Sequence, residues 1–266
     1  MGINLDAIQK RLQEMQQTAK GGGNSGNKDL QWKPPVGKSQ VRIVPYAFNK
    51  DNPFMELYFH YEIGKRTYLS PSSFGRPDPI VEFADKLKRT GDKEDWKLSR
   101  KIAPKFRVYA PVIVRGEEAE GVKFWGFGTK IYQDLMGVLV DPDYGDITDL
   151  MNGRDITIEH IAADKEGAFP SYSIRVKPNT TPATEDKAIA NLIVNDQKEI
   201  TALFEEPTYE ELETALQNWL TPQGKEEGTV KAGTPVSSAP KASKVGDVKG
   251  AFESLFGDSE SSDVPF

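Results

Sequence analysis

The chain has 266 residues, none of them cysteine, with 37% hydrophobic and 28% charged residues. That suffices for one ordinary domain with tails or two small domains, and it excludes disulfides and thiolate metal sites. The formal net charge of −6 argues against a polyanion ligand until its distribution is read: residues 28–115 hold 18 Lys/Arg against 10 Asp/Glu, a net of +8, whereas residues 200–266 hold 5 against 12, a net of −7.

Residues 1–20 read as an N-terminal helical segment. Asn4 is placed to cap it, and Leu5, Ile8, Leu12 and Met15 make one apolar stripe. So short a helix is marginal alone in water, so the stripe needs a partner surface, either a neighbouring molecule or its own domain. Residues 21–29, opening Gly21-Gly22-Gly23, form a flexible linker. Strands are expected at Val41–Val44 and Met55–Ile63, then, after a Gly64-Lys65-Arg66 turn, at Thr67-Tyr68-Leu69. Residues 79–101 read as helical and strongly basic. A hairpin follows, Phe106–Arg115 and Val122–Gly128, and then a helix at Thr129–Leu139. Two more strands, Asp155–Ile161 and Ser171–Val176, flank a loop carrying Phe169 and Pro170. A helix over roughly 184–204 and another starting at Thr208, where Thr208 and Glu211 form a capping box, close the core.

Residues 221–250 have the composition of a disordered linker. Residues 251–266 form an acidic tail in which Ala251–Phe256 resembles a short docking segment. No apolar run approaches the roughly 18 residues of a membrane span, and no signal peptide is visible, so a soluble intracellular protein is expected.

Enzyme chemistry is not found. Gly37-Lys38-Ser39 looks like the end of a phosphate-binding loop, but the glycine required five positions earlier is Trp32. Asp141–Asp146 looks like a calcium loop, but its glycine is one place early and its twelfth position is Asn152. The two histidines, His60 and His160, lie far apart. No cofactor is expected.

Binding an unpaired strand requires cations along the phosphates and flat rings for the bases. The strands interleave both, in Lys65-Arg66-Thr67-Tyr68, Lys105-Phe106-Arg107-Val108-Tyr109 and Lys123-Phe124-Trp125-Gly126-Phe127-Gly128-Thr129-Lys130. Alternation puts Lys105, Arg107 and Tyr109 on one face of their strand, and Lys123, Trp125 and Phe127 on one face of theirs. Arg42 and Arg175 add cations on the first and last strands. Residues 84–115 carry 10 Lys/Arg against 4 Asp/Glu, Lys101 among them, a basic stretch able to rim a groove.

Together these segments resemble the helix-destabilising, single-stranded DNA-binding proteins of T-even-type phages and their marine relatives. The resemblance is carried best by Pro104–Ala110, Phe127–Tyr132 and Phe169-Pro170-Ser171-Tyr172. It implies a mainly β, α+β chain with an OB-type five-stranded barrel over residues 30–220 and attached helical and loop subdomains. It also implies that the protein coats single-stranded DNA in replication, recombination and repair, in the cytoplasm of an infected bacterial host. Lys105, Arg107, Tyr109, Trp125, Lys130, Phe169 and Tyr172 would line the cleft. An N-terminal segment including Leu5, Ile8, Lys10, Arg11 and Leu12 would support cooperative self-association along DNA.

Many members hold a structural zinc through one histidine and three cysteines. Here Asp78 and Val81 stand for two of the thiols, Ser70 for the third, and His60 near the histidine, so the resemblance implies a zinc-free lobe packed by Phe74, Ile80, Val81 and Phe83. Val108 stands where relatives often carry an aromatic. The tip, with Asp258, Glu260, Asp263, Val264, Pro265 and Phe266, is similar to the acidic ends with which bacterial single-strand-binding proteins dock replication and repair enzymes. Two other readings stay open, a protein-interaction scaffold and an RNA-binding regulator, either on an OB-type core.

Overall fold

The computed structural model describes residues 30–61, 63–64, 66–163 and 169–220. In chain order the elements are β1 (Gln31–Trp32), β2 (Gly37–Ile43), β3 (Met55–His60), β4 (Tyr68–Leu69), α1 (Pro79–Arg89), α2 (Lys93–Ile102), β5 (Lys105–Val114), β6 (Lys123–Phe127), α3 (Thr129–Leu139), β7 (Arg154–Ile161), β8 (Ser171–Thr180), α4 (Lys187–Asn195) and α5 (Tyr209–Leu220). They divide into two compact units, one from Met1–Glu56 with Arg107–Glu205 and the other from Leu57–Phe106 with Glu206–Phe266.

The first unit is built on a hydrogen-bonded strand path β1-β6-β5-β2-β7-β8, parallel between β1 and β6 and antiparallel elsewhere. The path ends on β1 at one edge and β8 at the other. The expected closed five-stranded OB-type barrel is therefore wrong: the protein is a mixed α and β structure with an open, mostly antiparallel sheet. Strand lengths and alternation are local properties, whereas closure depends on which strands meet, and no local pattern specifies that.

Register determines the two faces. Val108, Ala110, Val112 and Val114 of β5 share one face with Trp125 and Phe127 of β6, Val41 and Ile43 of β2, and Ile156 and Ile158 of β7. All of them are buried. Trp32 of β1 stands opposite Trp125, with ring centroids 6.4 Å apart in an edge-to-face contact. Each such side chain contributes about 1.5–3 kcal/mol by leaving water. The opposite face carries Arg107, Tyr109, Pro111 and Ile113. Its centre is closed by a second apolar cluster in which Ile113 and Val44 pack on Ala183 and on Ile193 of α4.

The second unit packs α1, α2 and α5 around Ile63, Ile80, Phe83, Ala84, Leu87, Ile102, Leu212 and Leu216. Asp78 caps α1 and Asp92 caps α2, each accepting two backbone amides. Gly91, at φ 77°, breaks the expected continuous helix 79–101 into these two. The capping box of α5 forms as expected, with the Glu211 amide donating to Thr208 Oγ1 and the Thr208 amide to the Glu211 carboxylate. The expected helix 184–204 is shorter: α4 ends at Asn195, where the Gln197 side-chain amide donates to the Ile193 carbonyl, and a separate 3-10 turn covers Ile200–Leu203.

Candidate nucleic-acid interface

On the outer face of β5, Tyr109 pairs with Gly126 of β6. A Cβ added to Gly126 would stand 2.6 Å from Cε1 of the Tyr109 ring, so the ring lies on the bare backbone of its neighbour strand. Arg107 repeats the arrangement two residues away: its Nη1 would be 3.1 Å from a Cβ on Gly128. The Tyr109 ring also meets Phe204 edge-on, centroids 5.0 Å apart. Gly126 and Gly128 thus let a cation and an aromatic ring spread along the strand surface instead of standing off it. Arg107 is exposed and Tyr109 half-buried.

Beside them α3 begins with Gly128 as N-cap, without a side-chain cap bond and without an acid in its first turn, and exposed Lys130 is its second residue. The first-turn amides keep their positive end available next to that lysine. Ring, guanidinium, ammonium and helix end together suit a phosphodiester chain with a base laid on an aromatic face.

A second group of cations occupies the same sheet face toward the β8 edge. Lys38, Gln40, Thr157, Glu159, Ser173, Ile174, Arg175 and Lys177 line a shallow depression of about 260 Å³. Arg175 is exposed, and Lys38 reaches Glu159 at 3.9 Å. At the start of β8 Tyr172 is 36% exposed, on the face it shares with His160 and opposite to that of Arg175, and Phe169, just before the strand, is 91% exposed.

Other expected site residues lie elsewhere. Arg42 is fully buried, its guanidinium bonded to Asp155 at 2.8 Å and to the Thr181 carbonyl and hydroxyl at 2.8 and 2.6 Å. Burial lowers its pKa, against the opposing pull of Asp155. Arg115 clamps the same carboxylate at 2.6 and 3.0 Å. Trp125 and Phe127 share a face as the alternation predicts, but it is the core face, with their rings 4.5 Å apart. Burial thus removes Arg42, Trp125 and Phe127 from the surface set. Lys123 is half-buried and ion-paired with Glu120.

In the second unit, Arg66 lies 4.6 Å from the Tyr68 ring centroid, Lys101 5.8 Å from that of Trp219, and Lys105 donates to the Arg100 carbonyl at 2.8 Å. Lys65, the N-terminal residues Leu5, Ile8, Lys10, Arg11 and Leu12, and the tail from Asp258 to Phe266 lie outside the described residues. Sequence reading alone does not single out Gly126, Phe204 or the exposed Trp96, whose ring lies 4.9 Å from the Arg100 guanidinium. The Gly-x-Gly spacing at 126–128 is the one local signal among them.

The lobe in which many members of the resembled family hold a zinc does not fit one here. His60, Ser70 and Asp78 come together and bond to one another. His60 Nδ1 faces the Ile102 carbonyl at 3.1 Å and Nε2 faces Asp78 at 2.9 Å, and the Ser70 hydroxyl donates to the same carboxylate oxygen. Val81 offers no donor atom. Among the described residues no group of three or more His, Cys, Asp or Glu could hold a metal ion. Ile80 and Phe83 do pack the lobe, whereas Phe74 and Val81 are only half-buried.

A family model described as "gp32 DNA binding protein like" matches residues 36–220, well over half of the chain. No curated protein matches it.

Proposed function

Because the chain belongs to the family of gp32-like DNA-binding proteins, and so is a binding protein and not an enzyme, we propose that it coats single-stranded DNA without regard to base sequence. The observation that carries this reading is the pairing of Tyr109 and Arg107 with Gly126 and Gly128, which presents a ring and a cation flat on the sheet. Arg107 and Lys130 neutralise phosphates and release their counterions. Tyr109 stacks on a base, worth about 1–3 kcal/mol whichever base is met. Lys38, Arg175 and Lys177 extend the cationic surface along the strand, and Phe169 and Tyr172 provide further rings. The acidic C-terminal tail recruits replication and recombination proteins, and the N-terminal segment supports self-association along DNA. Both of these roles rest on the sequence.

Anisotropy of a labelled deoxythymidine oligomer, titrated with the full chain at several salt concentrations, tests the proposal. Saturable binding that weakens steeply with salt supports it. No binding at low salt, or binding to duplex as tight as to the single strand, would overturn it. Competition by unlabelled RNA of equal length distinguishes a DNA coat from an RNA regulator. No helix among the described residues is long and apolar enough to cross a membrane.

A further inference from the structure

His160 and Tyr172 are directly opposed partners on β7 and β8, and their rings lie 4.4 Å apart with 19° between the planes. On its other side His160 faces Gly37 of β2, which offers no side chain to wedge it. Gly37 has φ 105°, a conformation only glycine adopts readily, and no atom lies within 4 Å of where its Cβ would stand. What holds the imidazole is a hydrogen bond from Nδ1 to the Pro34 carbonyl at 2.9 Å. A carbonyl can only accept, so Nδ1 carries the proton, and the ring plane is fixed by its tautomer as well as by the stack.

Tyr172 is 36% exposed with one ring face on His160, and Phe169, three residues earlier, is 91% exposed. A lone tyrosine on an edge strand samples several rotamers, and ordering it when a base docks costs affinity. A ring already pinned against a second ring has met that cost in advance.

We infer that His160 is a positioning residue for strand binding: it fixes the Tyr172 ring so that its outer face, together with Phe169, receives bases. This rests on the single-stranded DNA reading above. His160 touches neither base nor phosphate in this role and acts only through Tyr172.

The test is anisotropy of the labelled deoxythymidine oligomer with the full chain, comparing Tyr172→Ala, His160→Ala, the double variant and His160→Phe. Tyr172→Ala should weaken binding about 5- to 100-fold, and His160→Ala about threefold or more by releasing the ring. The double variant should bind no more weakly than Tyr172→Ala alone. His160→Phe should restore most of the loss, and the salt slope should be the same in all, since no phosphate contact is removed. Should His160→Ala not fold, His160→Gln, which keeps a donor for Pro34 but has no ring, should show the same weakening. Independent, additive losses, unchanged binding in Tyr172→Ala or His160→Ala, or no rescue by phenylalanine would each overturn the inference while leaving DNA binding intact. Absence of binding by the unsubstituted chain would overturn the DNA reading and this inference with it.

Discussion

His60 Nε2 lies 2.9 Å from Asp78 Oδ2, with both side chains all but sealed from solvent. Both imidazole nitrogens face acceptors, the Ile102 carbonyl and the Asp78 carboxylate, so while Asp78 is ionised only the imidazolium satisfies both. The cluster ties β3 to the residue that follows β4 and to the N-cap of α1.

Acid stability should report this cluster. Burial pushes the Asp78 carboxyl up, but the hydrogen bond and charge of His60, then the Ser70 hydroxyl and the Val81 amide, outweigh it, so its pKa lies below the ordinary value. A carboxyl depressed on folding stabilises the native state above its unfolded pKa, near 3.9, and that stabilisation is lost as pH falls through the folded value. Asp78→Asn should flatten the fall in thermal midpoint below about pH 4 while keeping the helix cap. Asp78→Ala, which also strands His60, should cost about 3–5 kcal/mol by denaturant titration.

Substituting Gly126 should impair binding through its neighbour. An added Cβ at 2.6 Å must displace the Tyr109 ring. Gly126→Val is expected to approach the effect of Tyr109→Ala, a loss of about 1–3 kcal/mol in affinity for single strands. Equal affinities for Gly126→Val and the unsubstituted chain would show that the ring's position on the strand does not matter.

The salt dependence of binding should separate surface cations from the interior one. Removing Arg107 or Lys130 should each reduce the slope of log affinity against log salt by about 0.7. Arg42→Ala should leave that slope alone and instead lower stability by about 3–5 kcal/mol, because it breaks a buried pair with Asp155. Anisotropy titrations at four salt concentrations and a urea melt distinguish the two.

Deleting residues 258–266 should spare or strengthen binding to single strands while abolishing capture of replication enzymes by the immobilised protein. Loss of strand affinity on truncation would reassign the tail to the binding surface.

Much of this was legible locally and little of it globally. The alternation on Phe106–Arg115 and Val122–Gly128, the Thr208–Glu211 box and the helix at Thr129 are properties of a few neighbouring residues, and each appears in the structure. Which face of β6 turns inward was not legible. It depends on Trp32, ninety-three positions before Trp125, arriving on β1 to meet it. Trp125 therefore reads as a base platform in sequence and is core in space, whereas Tyr109, of similar local appearance, stays at the surface because Gly126 is its partner. The openness of the sheet was hidden for the same reason. The break between α1 and α2 is itself local, a glycine in the left-handed region at Gly91 followed by the N-cap Asp92.

The division of the chain into interleaved units bears on its synthesis. Unit one needs Gln31–Glu56 and then Arg107–Glu205, and unit two needs Leu57–Phe106 and then α5. At about 5–20 residues per second on the ribosome, neither hydrophobic core can be completed until the last third of the protein is emerging, since Leu212 and Leu216 close one and Ala183 and Ile193 the other. The nascent chain must carry half-built apolar surfaces for several seconds, and no single cut separates the units, because any contiguous fragment that holds one of them whole also carries a piece of the other.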